Sequence, residues 1–400
     1  MATVTSLPVG IGQKHVGNLL ISEGRTQFVF TEEYWKDPVR PVLGLHFEDT
    51  PGTSEPWVTG LPNWFENIVP EGTLREVVAR TVGADVYSSL KILRAIGVDL
   101  PGAVVLGESF EAEAGTLDLL QLRSTHSHTK TWNFSLAGYF LKLSAVKKQG
   151  RITLPAYGEF GNCILKFPSA SHPDLPLNEF WMMSLAQRMG FDVPEIFQVH
   201  REDLPKNISE DLWPTTEEIG FGIVRFDRDA QGGRIHMEDF AQILNKHPQD
   251  KYRSNFETVG KIVGSVERNG GIEEFVRRLT LNILIGNGDA HLKNWSVLYP
   301  DGRNPRLSPL YDLVCDGIYT GKHNLGMRFG GTMLFPLISR ATFEDVSPTL
   351  GVDPGVVLSA VDSTCSAFER AWAELHAEMP QKLRTFVERH SADALRRLQE

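Results

Sequence analysis

The sequence predicts an α+β protein of two lobes, a small lobe rich in β-sheet and a large helical lobe, preceded by an α+β subdomain at the N-terminus. Short runs of β-branched and aromatic residues recur up to about residue 225. Long segments with helical apolar periodicity follow from there to the end. With 400 residues the chain is too long for one small core. We therefore divide it into residues 1–106, 107–225 and 226–400.

The first unit combines strands with helices. Strand character occurs at Gly17–Ile21 and Gln27–Phe30, and helical patterns occur at Glu76–Ala79 and Val86–Ile96. A further strand begins within Pro101–Leu106. The unit holds no cluster of residues that suggests catalysis, so we interpret it as a modulatory or docking domain.

The second unit predicts a tight turn between two strands. Residues 134–146 are typical of a strand end, a small-residue turn at Ala137–Gly138 and a returning strand. Such a turn can bring backbone N–H groups close to phosphate oxygens, although an ordinary hairpin is equally consistent with these residues. The polar sequence His126–His128 is typical of a loop, with metal binding as the lesser alternative.

A lysine in an apolar strand is the more informative feature of this unit. Lys166 lies within the apolar run Cys163–Pro168, and a buried lysine needs a partner of opposite charge. Glu179 is the natural candidate, because it lies on the apolar stripe of a predicted helix from Asn178 to Met189, with Asn178 as its cap. The two side chains predict an ion pair. The pair either holds Lys166 toward the phosphates of a nucleotide or has a purely structural role, and the sequence leaves both open.

The third unit begins after a strand and is mainly helical. The segment Phe221–Arg228 predicts a strand that leaves the small lobe. Helices are expected at Met237–Leu244, Asn255–Val263, Ile272–Ile285, Ala360–Glu378 and Gln381–Leu398.

The polar motif of this unit follows its most apolar helix. Asp289 comes directly after the Gly286–Gly288 helix stop, and Asn294 follows five positions later. A predicted hairpin, with strands at 295–299 and about 306–310, returns the chain to Asp312 beside them. An Asp and an Asn at this spacing are more often capping or turn residues, and the hairpin with Asp312 is what favours catalysis. A hydrolytic metal site at His291 is the weaker alternative, since no second histidine lies nearby at ligand spacing.

These parts correspond to those of protein kinases. One Asp orients or accepts the proton of the attacking hydroxyl, an Asn and a later Asp hold magnesium, and a Lys–Glu pair faces the phosphates. Carboxylate and amide oxygens are the hard ligands that Mg²⁺ prefers. The strand-to-linker crossover between the lobes is where kinases bind adenine through backbone groups. The sequence therefore predicts a protein with a protein-kinase-like fold, which uses ATP and Mg²⁺.

Composition excludes several other classes. At 41% hydrophobic and 22% charged, the chain resembles a soluble globular enzyme, and a net charge of −10 argues against autonomous nucleic-acid binding. Basic residues near the C-terminus are expected on a solvated helix face. Cys163, Cys315 and Cys365 are not in metal-binding spacing and are interpreted as packing residues in a reducing compartment. No apolar run approaches the roughly 18 residues of a membrane span, so we expect a cytoplasmic protein.

Several sequence blocks, in order, resemble the HipA family, the serine/threonine kinase toxins of bacterial HipA–HipB toxin–antitoxin modules. The resemblance covers nearly the whole chain, and its blocks are Trp64–Gly72 with Arg75, Gly97–Val104, Ile164–Lys166, Asn178–Glu179, Val224–Arg228, His236–Gln242, Asn287–Asn294 and Leu310–Asp312.

The resemblance implies a role for each matching residue. Asp289 is implied as the catalytic base, Asn294 and Asp312 as Mg²⁺ ligands, and Ser135 as a serine that the kinase phosphorylates on itself to switch itself off. The residues implied in nucleotide binding are Ser135, Leu136, Ala137, Gly138, Lys166, Glu179, Arg225, Phe226, Asp227, His291 and Lys293.

The chain departs from the family pattern at three positions. Phe140 stands where the phosphate loop usually has Gln, two residues before Lys142. Leu100 replaces a common Cys, which concerns packing, and Val224 replaces a common acidic residue at the hinge. The change at Phe140 affects any nucleotide contact that the Gln makes in relatives.

The resemblance also implies partners. They are a HipB-like helix-turn-helix antitoxin, operator DNA reached only through the antitoxin complex, and a protein substrate such as an aminoacyl-tRNA synthetase. No association with a membrane is expected. Two alternatives remain open at this point. The Asp289–Asn294 spacing also resembles small-molecule kinases of the aminoglycoside type, and the altered phosphate loop is consistent with a catalytically silent, antitoxin-binding co-repressor.

Overall fold

The computed structural model describes residues 4–400 except 98, 108–141, 154–159, 205–212, 214 and 322. The N-terminal part forms an antiparallel sheet of order β4-β3-β2-β1-β5. Its strands are β1 (Thr5–Ile11), β2 (Lys14–Ser22), β3 (Arg25–Phe30), β4 (Val58–Thr59) and β5 (Val104–Leu106). The helices packed with them are α1 (Glu32–Lys36), α2 (Leu45–Glu48), α3 (Asn63–Glu66), α4 (Gly72–Thr81) and α5 (Ser89–Ile96).

A second antiparallel sheet follows, of order β7-β6-β8-β10-β9. Helix α6 (Leu175–Arg188) packs against β10 and β9 of this sheet. The strands are β6 (Lys142–Lys148), β7 (Arg151–Thr153), β8 (Cys163–Lys166), β9 (Ile196–His200) and β10 (Ile219–Val224).

The rest of the chain is a mainly helical lobe with two small sheets. Its strands are β11 (His236–Asp239), β12 (Ser296–Tyr299), β13 (Arg306–Leu307), β14 (Asn324–Phe329) and β15 (Thr332–Leu334). Its helices are α7 (Phe240–Ile243), α8 (Phe256–Val266), α9 (Gly271–Ile285), α10 (Gly317–Thr320), α11 (Arg340–Leu350), α12 (Pro354–Leu375) and α13 (Gln381–Gln399).

Two apolar cores hold these parts together. One core joins the N-terminal sheet and its helices to the strands of the second sheet, where Leu143 and Leu165 are buried. The other lies inside the helical lobe and includes helix α6, whose Met182 and Met183 are buried. Helix α6 therefore packs against both the second sheet and the helices of the large lobe.

The predicted α+β organisation, with sheets first and helices after, is confirmed. The three cysteines are buried and unbonded to one another, as expected of packing residues. Within the described part of the chain, no helix is both long and apolar enough to cross a membrane.

Two predicted elements are wrong in part. Helix α6 begins three residues before Asn178, so Asn178 does not cap the helix. The side chain of Asn178 is instead buried and forms hydrogen bonds with the backbone of Cys315. The segment Met237–Leu244 is not helical throughout, because His236–Asp239 pairs as a strand with Ser296–Tyr299. The helix starts only at Phe240, where Asp239 and Gln242 form a capping box.

Candidate active site

A cavity of about 420 Å³ lies between the second sheet and the helical lobe. It collects most of the side chains that the sequence singles out. Among the residues that line it are Lys166, Glu179, Arg225, Phe226, Asp227, Asp289, His291, Lys293, Asn294 and Asp312.

Lys166 lines this cavity from the end of β8. Its Nζ donates to Glu179 Oε1 at 2.6 Å, which is the predicted pair, and also to Asp312 Oδ1. Burial alone would lower the pKa of Lys166, but the Asp312 and Glu179 carboxylates outweigh it and raise the pKa above its ordinary value. The ammonium group is therefore charged at neutral pH and is fixed between two acids.

The two acids respond differently to this lysine. Burial raises the pKa of Glu179 to about 7, although Lys166 opposes the shift. Burial also acts to raise the pKa of Asp312, but Lys166 and Lys142 lower it well below its usual range. Asp312 is thus a carboxylate at any physiological pH, as a metal ligand must be.

Lys142 is a cavity residue to which the sequence assigns no role in the site. It lies opposite Lys166 in the register of β6 and β8. Burial, together with the positive charge of Lys166, lowers the pKa of Lys142 to about 8. Two cations on neighbouring strands favour an anionic ligand in this part of the cavity.

The loop that carries Asp289 is held by local hydrogen bonds. Helix α9 ends at Ile285 and is capped by Gly286, whose φ of 70° is the left-handed conformation that favours glycine. Asn287 Nδ2 donates to Asn282 Oδ1 at 2.7 Å, and Asn287 Oδ1 accepts from the Asp289 backbone N–H at 3.1 Å. A short turn of 3₁₀-helix, Leu292–Asn294, then brings Asn294 Nδ2 within 3.3 Å of the Asp289 carbonyl. The predicted placement of Asp289 on a loop at a helix end is confirmed.

A tyrosine contacts the Asp289 carboxylate directly. The Tyr252 hydroxyl donates to Asp289 Oδ1, and its ring packs against His291 at 5.0 Å between ring centroids. Burial raises the pKa of Tyr252 and Asp289 raises it further, so the hydroxyl keeps its proton. Burial lowers the pKa of His291 to about 4, and its imidazole is neutral at physiological pH.

The side-chain oxygen of Asn294 suits a bound cation. Within the described residues, Asn294 Oδ1 is buried and has no hydrogen-bond partner. The same part of the chain has no cluster of three or more His, Cys, Asp or Glu side chains that could hold a metal. One amide oxygen and one carboxylate, completed by waters and phosphate oxygens, is the ligand set typical of Mg²⁺ at nucleotide sites. The residues therefore fit magnesium and do not resemble an all-protein metal cage.

Asp312 reaches the cavity through the predicted hairpin. Strand β12 pairs with β13, which is shorter than expected, at Val297 with Leu307. Asp312 then has a φ of 60°, a left-handed conformation that Asp tolerates better than most residues. Such strain is characteristic of functional sites.

The segment after β10 has a double role. Phe226 faces the cavity and lies 5.3 Å from the ring of Tyr311, centroid to centroid. Arg225 and Asp227 also line the cavity, but their charged groups form a buried network with Asp99 and Arg228, at distances of 2.6 to 3.0 Å. Their side chains thus tie the linker to the N-terminal subdomain.

Lys293 points toward the N-terminal subdomain. Its Nζ donates to Asn67 O at 2.8 Å, to Asn67 Oδ1 at 3.0 Å and to Asp239 Oδ2 at 2.9 Å. An ammonium group has three protons, so these bonds use all of them. This arrangement differs from the nucleotide contact that the resemblance implies for Lys293.

The predicted phosphate loop lies outside the described residues. Ser135, Leu136, Ala137 and Gly138, with the departure at Phe140, belong to that segment. Sequence reasoning also missed residues that the structure brings to the cavity, namely Glu71, Lys251 and Tyr252. Glu71 lies in the Trp64–Gly72 block, which is a usable signal, whereas no pattern in the sequence marks Lys251 or Tyr252.

The chain is similar to known proteins over almost its whole length. Residues 7–107 match the family described as HipA N-terminal domain, and residues 134–372 match the HipA-like C-terminal domain. A candidate kinase of Sinorhizobium fredii is 35% identical over 393 residues, which is 95% of this chain and 94% of that protein. The serine/threonine-protein kinase toxin HipA of Shewanella oneidensis is 26% identical over 374 residues, with 80% of this chain and 77% of that protein covered.

The fold agrees as well. A solved complex of Shewanella oneidensis HipA, HipB and operator DNA contains a chain that matches with a TM-score of 0.74 at 20% identity, over 98% of this chain and 96% of that chain. The two lobes are therefore those of a protein-kinase-like fold. Both family matches and the relative that is 35% identical over almost the whole length lead to one conclusion: the chain belongs to the HipA family and is a protein kinase.

Proposed function

We propose that the protein transfers the γ-phosphoryl group of MgATP to serine or threonine hydroxyls, as the toxin of a HipA–HipB-type module. The observation that carries the proposal is the arrangement of Lys166 between Glu179 and Asp312, in the same cavity as Asp289 and Asn294. This set corresponds in residue type and order to the phosphoryl-transfer parts of protein kinases.

The nucleotide-binding residues divide into three groups by role. Lys166 binds phosphate oxygens and Glu179 keeps it in place, with Lys142 adding positive charge on the neighbouring strand. Asn294 and Asp312 would hold Mg²⁺, which when bound neutralises charge on the phosphates. The backbone of Arg225–Asp227 and the ring of Phe226 line the part of the cavity proposed for adenine.

Asp289 is proposed to act on the acceptor. Its carboxylate orients the hydroxyl and accepts the proton as the oxygen bonds to the γ-phosphorus. The bond from that phosphorus to the β–γ bridging oxygen breaks, and ADP leaves. Lys166 is protonated throughout, because two carboxylates raise its pKa, so it stabilises the charge on the phosphates without exchanging its proton.

The proposed partners and target rest on relatives. The matched Shewanella structure contains HipB and operator DNA beside HipA, which supports a HipB-like antitoxin as the partner of this chain. We propose a translation protein such as an aminoacyl-tRNA synthetase as the substrate and Ser135 as the autophosphorylation site, both from the resemblance of the sequence to the family.

The test is incubation of the purified chain with labelled ATP and Mg²⁺, followed by mass spectrometry. Label on Ser135 is expected in the wild type, and its rate should fall by about 10²–10⁴-fold in Asp289→Ala, the usual contribution of a general base. A metal chelator should stop labelling in both. Undiminished labelling of Asp289→Ala, or transfer to an aminoglycoside with no labelled protein, would contradict the proposal.

A further inference from the structure

The contact between Tyr252 and Asp289 belongs to a longer chain of interactions. Tyr252 is 41% exposed, yet its hydroxyl is directed inward to Asp289 Oδ1. A backbone hydrogen bond also joins the segment of Tyr252 to the segment of Asp289, since the N–H of Leu292 donates to the carbonyl of Lys251 at 3.2 Å. An exposed tyrosine would otherwise sample several rotamers, and fixing it requires further contacts.

The N-terminal subdomain contacts Lys251, the residue next to Tyr252. Lys251 Nζ lies 3.0 Å from Glu71 Oε2, and both side chains are largely buried, at 12% and 17% exposure. Glu71 precedes helix α4, so this ion pair crosses from the N-terminal subdomain to the segment that carries Tyr252. Glu71 Oε1 also lies 3.7 Å from Lys293 Nζ, on the other side of Asp289 in the sequence. One carboxylate therefore contacts the lysines beside both Tyr252 and Asn294.

We propose that Tyr252 is a positioning residue for Asp289, and that Glu71 holds Tyr252 in place through Lys251. The N-terminal subdomain thereby contributes to phosphoryl transfer itself, in addition to any docking role. This inference rests on the proposed function of Asp289 as the base. A carboxylate has two oxygens, so a hydroxyl on Oδ1 fixes the orientation of the group while the other oxygen remains able to accept the proton of the substrate.

The experiment compares single variants with matched controls. Tyr252→Phe removes only the hydroxyl, and Glu71→Gln removes only the charge. Tyr87→Phe, at an 87% exposed tyrosine, and Glu76→Gln, at an exposed residue of helix α4, are the corresponding controls. The readout is the rate of self-labelling by phosphatase-treated protein as a function of ATP concentration, together with the thermal unfolding midpoint.

We expect the maximal labelling rate of Tyr252→Phe to fall by about 10- to 100-fold, the usual value of a hydrogen bond to a charged group. The ATP concentration for half-maximal rate should be unchanged, because neither Tyr252 nor Glu71 contacts the phosphate-binding lysine. Glu71→Gln should lower the maximal rate in the same way, and both control variants should behave as wild type.

The double variant tests whether Glu71 and Tyr252 act through one another or have two independent effects on the rate. If Glu71 acts through Tyr252, Glu71→Gln combined with Tyr252→Phe should be no slower than Tyr252→Phe alone. Losses that multiply, or a Tyr252→Phe variant as fast as wild type, would overturn the inference and leave the proposed kinase activity standing. A wild-type chain without activity would overturn both.

Discussion

Lys166 is shared by two carboxylates that come from different parts of the chain. Glu179 lies on helix α6 and Asp312 follows the hairpin of the helical lobe, and both contact the same ammonium group. The pair with Glu179 is predictable from the sequence, because each residue is a charge on an apolar face. The contact between Lys166 and Asp312 is not predictable from the sequence. It depends on the left-handed backbone of Asp312, which no residue pattern indicates.

We expect Lys166→Met to lose both activity and stability. Removing the lysine leaves Glu179, whose side chain is only 4% exposed, without its countercharge. Breaking a buried ion pair in this way typically destabilises a protein by about 3–5 kcal/mol. Urea unfolding of the purified variant measures the change.

Glu179→Gln is the matched comparison, because a neutral amide is less costly to bury than an unpaired charge. It should lose activity, since Lys166 is then held by Asp312 alone, but keep more of its stability than Lys166→Met. Equal destabilisation by the two substitutions would argue against the charge as the cause.

At the scale of elements, helix α6 connects the lysine to the segment after Asp312. Asn178 Nδ2 donates to the Cys315 carbonyl at 3.0 Å, and the Cys315 N–H donates to Asn178 Oδ1 at 2.9 Å. Because Glu179 is the next residue, one turn of helix positions both the Lys166 pair and the Asp312 segment. The early start of this helix had a signal in Pro176, since proline is favoured in the first helical turn.

We expect Asn178→Ala to be destabilised by about 1–3 kcal/mol, because it leaves buried backbone groups of Cys315 without partners. Its affinity for MgATP should fall as well, since Asp312 loses a fixed neighbour, and calorimetric titration measures this. Asn63→Ala is a suitable control, because Asn63 also bonds a distant backbone carbonyl but lies away from Asp312. Normal MgATP affinity in Asn178→Ala would show that the two segments are not coupled.

Strand β11 shows where element prediction fails. Residues 236–239 read His-Met-Glu-Asp, without the alternation of apolar and polar residues that is typical of a strand. Their pairing with β12 depends on residues about sixty positions away. Local pattern does not reveal such pairing, and tertiary context overrides it. The capping box of Asp239 and Gln242 was the local signal for a later helix start.

For the whole molecule, the N-terminal subdomain and the helical lobe share buried polar contacts. Glu238 of β11 accepts from Trp64 Nε1 at 3.1 Å and from the Leu45 N–H at 2.8 Å. His236 bonds the Leu43 carbonyl through Nε2 at 2.8 Å. The order of these units along the chain is predictable from the sequence, but the contacts between them are not, because they join residues nearly two hundred positions apart.

His236 makes stability sensitive to acid. Burial lowers its pKa from 6.5 to about 4. As pH falls below 6.5, the unfolded chain takes up a proton that the folded protein resists, so stability is lost between about pH 6.5 and 4. For this residue alone we expect a loss of about 2 kcal/mol between pH 7 and 5.

His236→Gln should therefore unfold with a free energy that depends less on pH over this range, as measured by urea titrations at pH 5 and 7. His291, with its pKa also lowered to about 4 by burial, retains its own contribution. His323→Gln, at an exposed histidine, should keep the full dependence of the wild type. A His236→Gln variant with an unchanged pH dependence would contradict this account.

The ionic network around Asp99 affects whether the C-terminal domain can be expressed without the N-terminal subdomain. Asp99 supplies one of the two carboxylates that neutralise Arg225 and Arg228, whose side chains are 1% and 2% exposed. The HipA-like C-terminal domain begins in sequence at residue 134, so expression of that domain alone would leave two arginines with a single acid in the interior. The recombinant fragment should accumulate in inclusion bodies, and co-expression with residues 1–107 as a separate polypeptide should return it to the soluble fraction.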